Sequence, residues 1–230
     1  NWPRSFSRSG NWYDADRRYE INKNYTNQLD EVKTFFEKSK AYHQSKNLDK
    51  NTVYEAMKGL FDGSQKLFVH VDSEKEILDL LAFKAELNLQ HIVIVGGAES
   101  YRVADKLKSA DIPVLLQRVH STPNFEGDDY DLPYKLPKLL NDKGILVGLE
   151  SSGRMERMNS RNLPFYAGTA VAYGLDKDDA LQMITLNTAK ILGIDDFAGR
   201  PFGYESQVGE IVFYLFFIRH LWFWIYTIFD

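Results

Sequence analysis

At 230 residues the chain is long enough to bury one substantial core, and length alone argues for one domain rather than two. Hydrophobic residues make up 44% and charged residues 26%, a globular profile that excludes the disordered and fibrous classes. A net charge of −4 with both signs interspersed offers nothing to a nucleic acid or an anionic membrane, and the lack of cysteine excludes disulfides, thiolate metal sites and cysteine nucleophiles.

Residues 1–26 are polar, with aromatic and arginine residues scattered through them, no leading methionine and no continuous apolar core of a targeting peptide. They are expected to be irregular and to begin inside a longer protein. In residues 27–45 the apolar positions Leu29, Val32, Phe35 and Phe36 have helical spacing, as do Val53, Ala56, Met57 and Leu60 in residues 50–61. Four short apolar runs follow: Leu67–Val71, His91–Val95, the run PVLLQRV opened by Pro113, and Ile145–Leu149. Each leads into helical periodicity or into a loop. Ser73 and Glu76 have the spacing of a capping box, in which each side chain satisfies an orphan backbone donor. Continuous rather than alternating apolar runs imply strands covered on both faces, so strand and helix in alternation predict βαβ units around a parallel sheet. Periodicity alone leaves open whether that sheet is doubly wound or closed into a barrel. Gly96-Gly97 is only a fragment of a nucleotide loop, and a tight strand-to-helix turn is its expected role.

The segment 162–194, NLPFYAGTAVAYGLDKDDALQMITLNTAKILGI, narrows the choice. Its spacing predicts an amphipathic helix capped by Asp176 and stopped by Gly193. Ala180, Leu181, Ile184, Thr185, Asn187, Ala189, Ile191, Leu192 and Gly193 also follow in order the pattern A-L-x-x-I-T-x-N-x-A-x-I-L-G. This resembles the closing helix of amidohydrolases of the imidazolonepropionase-like branch. The likeness covers roughly residues 28–194, including a strand ending in His, a strand followed by Gly-Gly, and an I-P-V strand. It implies an α/β fold, a partial (β/α)8 TIM-type barrel whose four strands are the fifth to eighth of the full fold. The first four strands and the small β-sandwich of the family are not in this sequence. The expected organisation is an irregular segment 1–26, a partial barrel 27–196 and an apolar tail 197–230.

The resemblance implies water activated on one or two divalent metal ions, zinc above all, with an aspartate after the last strand handling the proton. It also implies a small-molecule substrate containing a non-peptide C–N bond. His70 matches the histidine ligand of the fifth strand; it reads either as that ligand or as a hydrogen-bonded histidine near a strand end. The sixth-strand histidine is missing: Gly96 or Gly97 stands at its position, and His91 lies at the opposite end of its strand. At the position of the aspartate stand Glu150 and Ser151. Glu150 could accept a proton, although its carboxylate is displaced by about one methylene. His120, beyond the third run, either faces substrate or is an ordinary loop histidine. The acidic group Glu126, Asp128, Asp129 and Asp131 lacks the spacing of a calcium loop and reads as a solvated turn. His43 and His220 have no evident partner. With one metal ligand in place, the chain is expected to be inactive alone. The rival reading is a metal-poor barrel homologue that binds a ligand or a partner subunit.

The family pattern stops after Asp196, and Ile211–Phe229 is apolar apart from Arg219, His220 and Thr227. The tail reads as a membrane helix burdened by a central Arg and His, as a strand added to the barrel edge, or as the product of a shifted reading frame. The abrupt change in composition favours the last. Open barrel edges predict self-association.

Overall fold

The computed structural model describes residues 4–6, 19–45, 49–117, 119–123, 127–151 and 160–199. These fall into two compact units, one formed by Asn1–Gln117 with Leu139–Ile145 and the other by Arg118–Lys138 with Leu146–Asp230. The apolar tail beyond residue 199, His220 and Glu126 lie outside the described residues, as does Ser152. No helix among the described residues is long and apolar enough to cross a membrane.

In the first unit, β1 (Arg4–Phe6) and β2 (Tyr19–Ile21) form a short antiparallel pair with Arg4 opposite Ile21, inside the segment expected to be irregular. Helix α1 (Tyr25–Gln44) follows. The helix expected over residues 50–61 is two short ones, α2 (Thr52–Ala56), capped by the Asn51 side chain on the N–H groups of Val53 and Tyr54, and α3 (Lys58–Asp62). They part at Met57, and Val53 and Ala56 of the expected apolar face are exposed. The packing is instead aromatic: Phe35 and Tyr42 of α1 each meet the Tyr54 ring, at 5.8 and 5.5 Å. Phe36 meets Phe83 edge-on at 5.1 Å.

Three strands then alternate with helices. They are β3 (Leu67–Val71), β4 (Ile92–Gly96) and β5 (Val114–Gln117), and between them lie α4 (Glu74–Leu87) and, after a 3-10 turn at Ser100–Val103, α5 (Ala104–Ser109). β3 pairs in parallel with β4, Leu67 opposite Ile92 through Val71 opposite Gly96, and β4 pairs in parallel with β5. Every residue of β4 is buried, as a central parallel strand requires. Ile77, Leu80, Phe83 and Leu87 of α4 complete its core face. The capping box forms: Ser73 Oγ accepts from the N–H of Glu76, and Glu76 Oε2 accepts from the N–H groups of Ser73 and Asp72.

The second unit holds the first part of α6 (Leu132–Asp142), β6 (Val147–Glu150), α7 (Leu163–Ala172), α8 (Lys177–Met183) and α9 (Leu186–Leu192). Val147, Gly148 and Leu149 are buried under α7, α8 and α9. Asp176 caps α8 as expected, its Oδ1 accepting from the N–H groups of Asp178 and Asp179. The single helix expected from Asp176 to Gly193 is broken, however, between Met183 and Leu186. Thr185 leaves the helical region, with φ −132° and ψ −93°. Its hydroxyl donates to Leu181 O at 2.7 Å, a local bond that competes with helix continuation.

Candidate functional site

His70 is the penultimate residue of β3, opposite Val95, and its side chain is exposed at the carboxyl end of the first unit's sheet. Barrel enzymes carry their reactive groups at such ends. Two residues on stands Asp72, which the sequence reading passed over. Its Oδ1 accepts from the N–H of Ala98 at 3.3 Å, and the Gly97 N–H donates to Val71 O at 2.7 Å. The Gly96-Gly97 pair makes this approach feasible. Gly96 has φ +100°, and a Cβ there would fall 2.6 Å from Asp72 Oδ1. The pair is thus the tight turn expected of it, wrapped around a carboxylate. Solvent reaches Asp72 as a residue, yet its carboxyl lies against backbone. Loss of hydration raises its pKa, opposed chiefly by the Ala98 N–H; Glu76 raises it further and His70 pulls it down.

Glu99 was also missed. Only 1% exposed, its Oε2 accepts from the N–H of Glu74 at 2.7 Å in the first turn of α4, where the helix dipole favours negative charge. Arg102 Nε lies 3.4 Å from Oε1, and the Glu99 N–H donates to Asp72 O at 2.8 Å. Asp72 and Glu99 therefore lash the loops after β3 and β4 together. The available signal was positional: both are carboxylates just beyond an apolar run.

The other candidates belong to the second unit. Glu150 ends β6, half-buried, and Ser151 follows it with a buried Oγ that has no hydrogen-bond partner among the described residues. The strand beneath them is tied by Asn187 of α9, whose Nδ2 donates to Val147 O at 3.0 Å. The asparagine of the closing-helix pattern thus works as a clamp on β6. His120 is exposed. Its Nε2 lies 2.5 Å from Thr169 Oγ1 of α7, and its ring stands edge-on to Tyr166 at 4.6 Å and to Tyr134 at 6.2 Å.

The remaining candidates have structural roles. His91 is exposed at the start of β4, its carbonyl accepting from the Leu67 N–H. His43 Nε2 donates to Tyr54 O at 2.7 Å. Of the acidic group, Asp131 opens α6 and pairs with Lys135 at 2.7 Å, which also raises the lysine's pKa.

Among the described residues no group of three or more His, Asp or Glu side chains is placed to hold a metal ion. A divalent metal needs about four converging donors, so the described residues do not fit a metal centre. His70 lies in one unit, and Glu150, Ser151 and His120 in the other.

No family model matches the chain. It is 31% identical over 134 residues to the amidohydrolase tasK of Hapsidospora irregularis, an alignment covering 53% of this chain and 13% of that protein. The fold is similar to the crystal structure of an amidohydrolase from Thermotoga maritima MSB8, with a TM-score of 0.65 and 21% identity over 76% of this chain and 47% of that one. The chain therefore spans about an eighth of its curated relative and about half of the solved structure. The structural likeness shows an α/β fold, part of a TIM-type barrel. The sequence likeness supports a relationship to the amidohydrolase superfamily and so to hydrolases.

Proposed function

We propose that this chain is part of an amidohydrolase-type protein whose whole form hydrolyses a non-peptide C–N bond in a small molecule. The observation that carries it is the pairing of amidohydrolase likeness with chemistry-bearing residues at strand carboxyl ends, His70 on β3 and Glu150 on β6. The ordered match of Ala180–Gly193 supports the imidazolonepropionase-like branch. Glu150 and Ser151, which stand at the aspartate position, are assigned the catalytic role, with Glu150 as proton acceptor, and His120 is assigned a contact to substrate. When bound, a zinc ion would activate water in such a protein. His70 is the one residue that the resemblance assigns to it as a ligand, fewer than the four donors zinc usually takes.

A second reading, a metal-poor homologue that binds a ligand or partner without turnover, is motivated by Gly96-Gly97 standing where the sixth-strand histidine is expected and by Glu150-Ser151 standing where the aspartate is expected. Metal analysis and amide hydrolysis assays separate the two. The 230-residue chain is expected to purify without stoichiometric zinc and without turnover, and the longer parent protein with both. Stoichiometric zinc and turnover in the 230-residue chain would overturn the assignment of inactivity; a metal-free, inactive parent would overturn the hydrolase reading.

A further inference from the structure

Thr169 lies between two hydrogen-bonding groups that together dictate its proton. Its Oγ1 is 3.0 Å from Phe165 O, the carbonyl one turn earlier in α7, and 2.5 Å from His120 Nε2. A carbonyl oxygen has no proton to give, so the hydroxyl must donate to Phe165 O, as threonine does in helices. Were it turned toward the imidazole instead, two oxygen lone-pair sets would face each other across that short gap. With its single proton committed, Oγ1 is an acceptor toward His120, and Nε2 must carry the hydrogen. In neutral imidazole this leaves the lone pair on Nδ1, which has no hydrogen-bond partner among the described residues. Two aromatic rings border the imidazole, which is otherwise exposed. Tyr166, buried in α7, stands edge-on to one side of it, and Tyr134, itself packed against Tyr173 at 5.4 Å, to another.

We infer that Thr169 is a positioning residue that locks His120 as the Nε2–H tautomer, so that His120 presents Nδ1 as a fixed acceptor for an N–H group of the substrate. The inference deepens the substrate-contact role assigned to His120 and rests on that reading. It narrows the substrate class to amides or heterocycles that keep an N–H beside the carbonyl, a lactam rather than an N-alkylated ring. For the neutral ring, carbonyl recognition at Nδ1 is excluded, because two acceptors would meet.

The tautomer can be read directly, without turnover, from long-range 15N–1H correlation of the imidazole rings in the 230-residue chain at alkaline pH. His120 is expected to show a protonated Nε2 and a bare Nδ1. Thr169→Val should release it to a mixture of tautomers, while Thr169→Ser, which keeps the hydroxyl, should restore the single form. A His120 that is mixed in the unmodified chain, or unchanged by Thr169→Val, would overturn the lock. For recognition the probe pair is 2-pyrrolidinone and its N-methyl derivative. The first should shift the Nδ1 resonance and the second should not, with apparent affinity for the first falling about three- to tenfold in Thr169→Val, the loss of one oriented hydrogen bond. Equal shifts from both probes would refute N–H recognition. A locked tautomer with no lactam turned over by the parent protein would fault the hydrolase reading alone; turnover with a freely exchanging tautomer would fault the inference alone.

Discussion

Asp72 shows how one carboxylate can tie two loops together and still cost stability. Because burial of the carboxyl raises its folded-state pKa above the ordinary 3.8, the fold favours the neutral acid. The stability this contributes is complete below that ordinary value and is lost as pH rises through the folded one. Asp72→Asn keeps the acceptor for the Ala98 N–H and removes the titration. Across a series from about pH 3.5 to 6, the unmodified chain should lose stability relative to the variant as pH rises, read from urea midpoints. A difference that stays constant with pH would contradict the account. At this scale legibility in sequence was uneven. His70, Glu150, Ser151 and His120 were nameable because a family pattern supplied positions for them. Asp72, Glu99 and Thr169 were not, because their roles depend on partners 26, 25 and 49 residues away in the chain. Asn187 was visible as part of a pattern, but only its bond to Val147 O gives that asparagine a task.

The elements were more legible than the site, since local rules govern them. The apolar runs became β3 to β6 within about two residues at each end, and the Ser73–Glu76 spacing became a reciprocal cap. Ser73 is buried and its hydroxyl serves the N–H of Glu76 alone, so Ser73→Ala should destabilise the chain by about 1 kcal/mol, seen as a lower urea midpoint with an unchanged slope. No loss would mean that Glu76 alone suffices to order the start of α4. The failures were in continuity. Residues 50–61 and 176–193 keep helical spacing straight through their breaks at Met57 and Thr185. Periodicity records which positions are apolar, and a helix interrupted for one or two residues can preserve that pattern. The break in the second case comes from a threonine hydroxyl finding Leu181 O, which an average over a window does not register.

At the scale of the whole molecule, β3 stands at the end of its ladder, paired among the described residues with β4 alone. A parallel strand paired along one side only, as β3 is among the described residues, is a template for another chain. The 230-residue chain is therefore expected to elute from size-exclusion chromatography as oligomers, more so at higher concentration. A monodisperse monomer would show that something else covers this edge. The same strand carries a sharper reporter. Parallel pairing turns the N–H groups of successive residues to opposite sides. Leu67 N–H goes to His91 O at 2.9 Å, which sets the alternation: Val69 points its amide hydrogen at β4, and Phe68 points its own away. In dilute chain the Phe68 amide should therefore trade its hydrogen for solvent deuterium far sooner than that of Val69. Anything that docks a strand there would slow Phe68 and leave its neighbour as it was, so one backbone position reports whether the barrel has been completed.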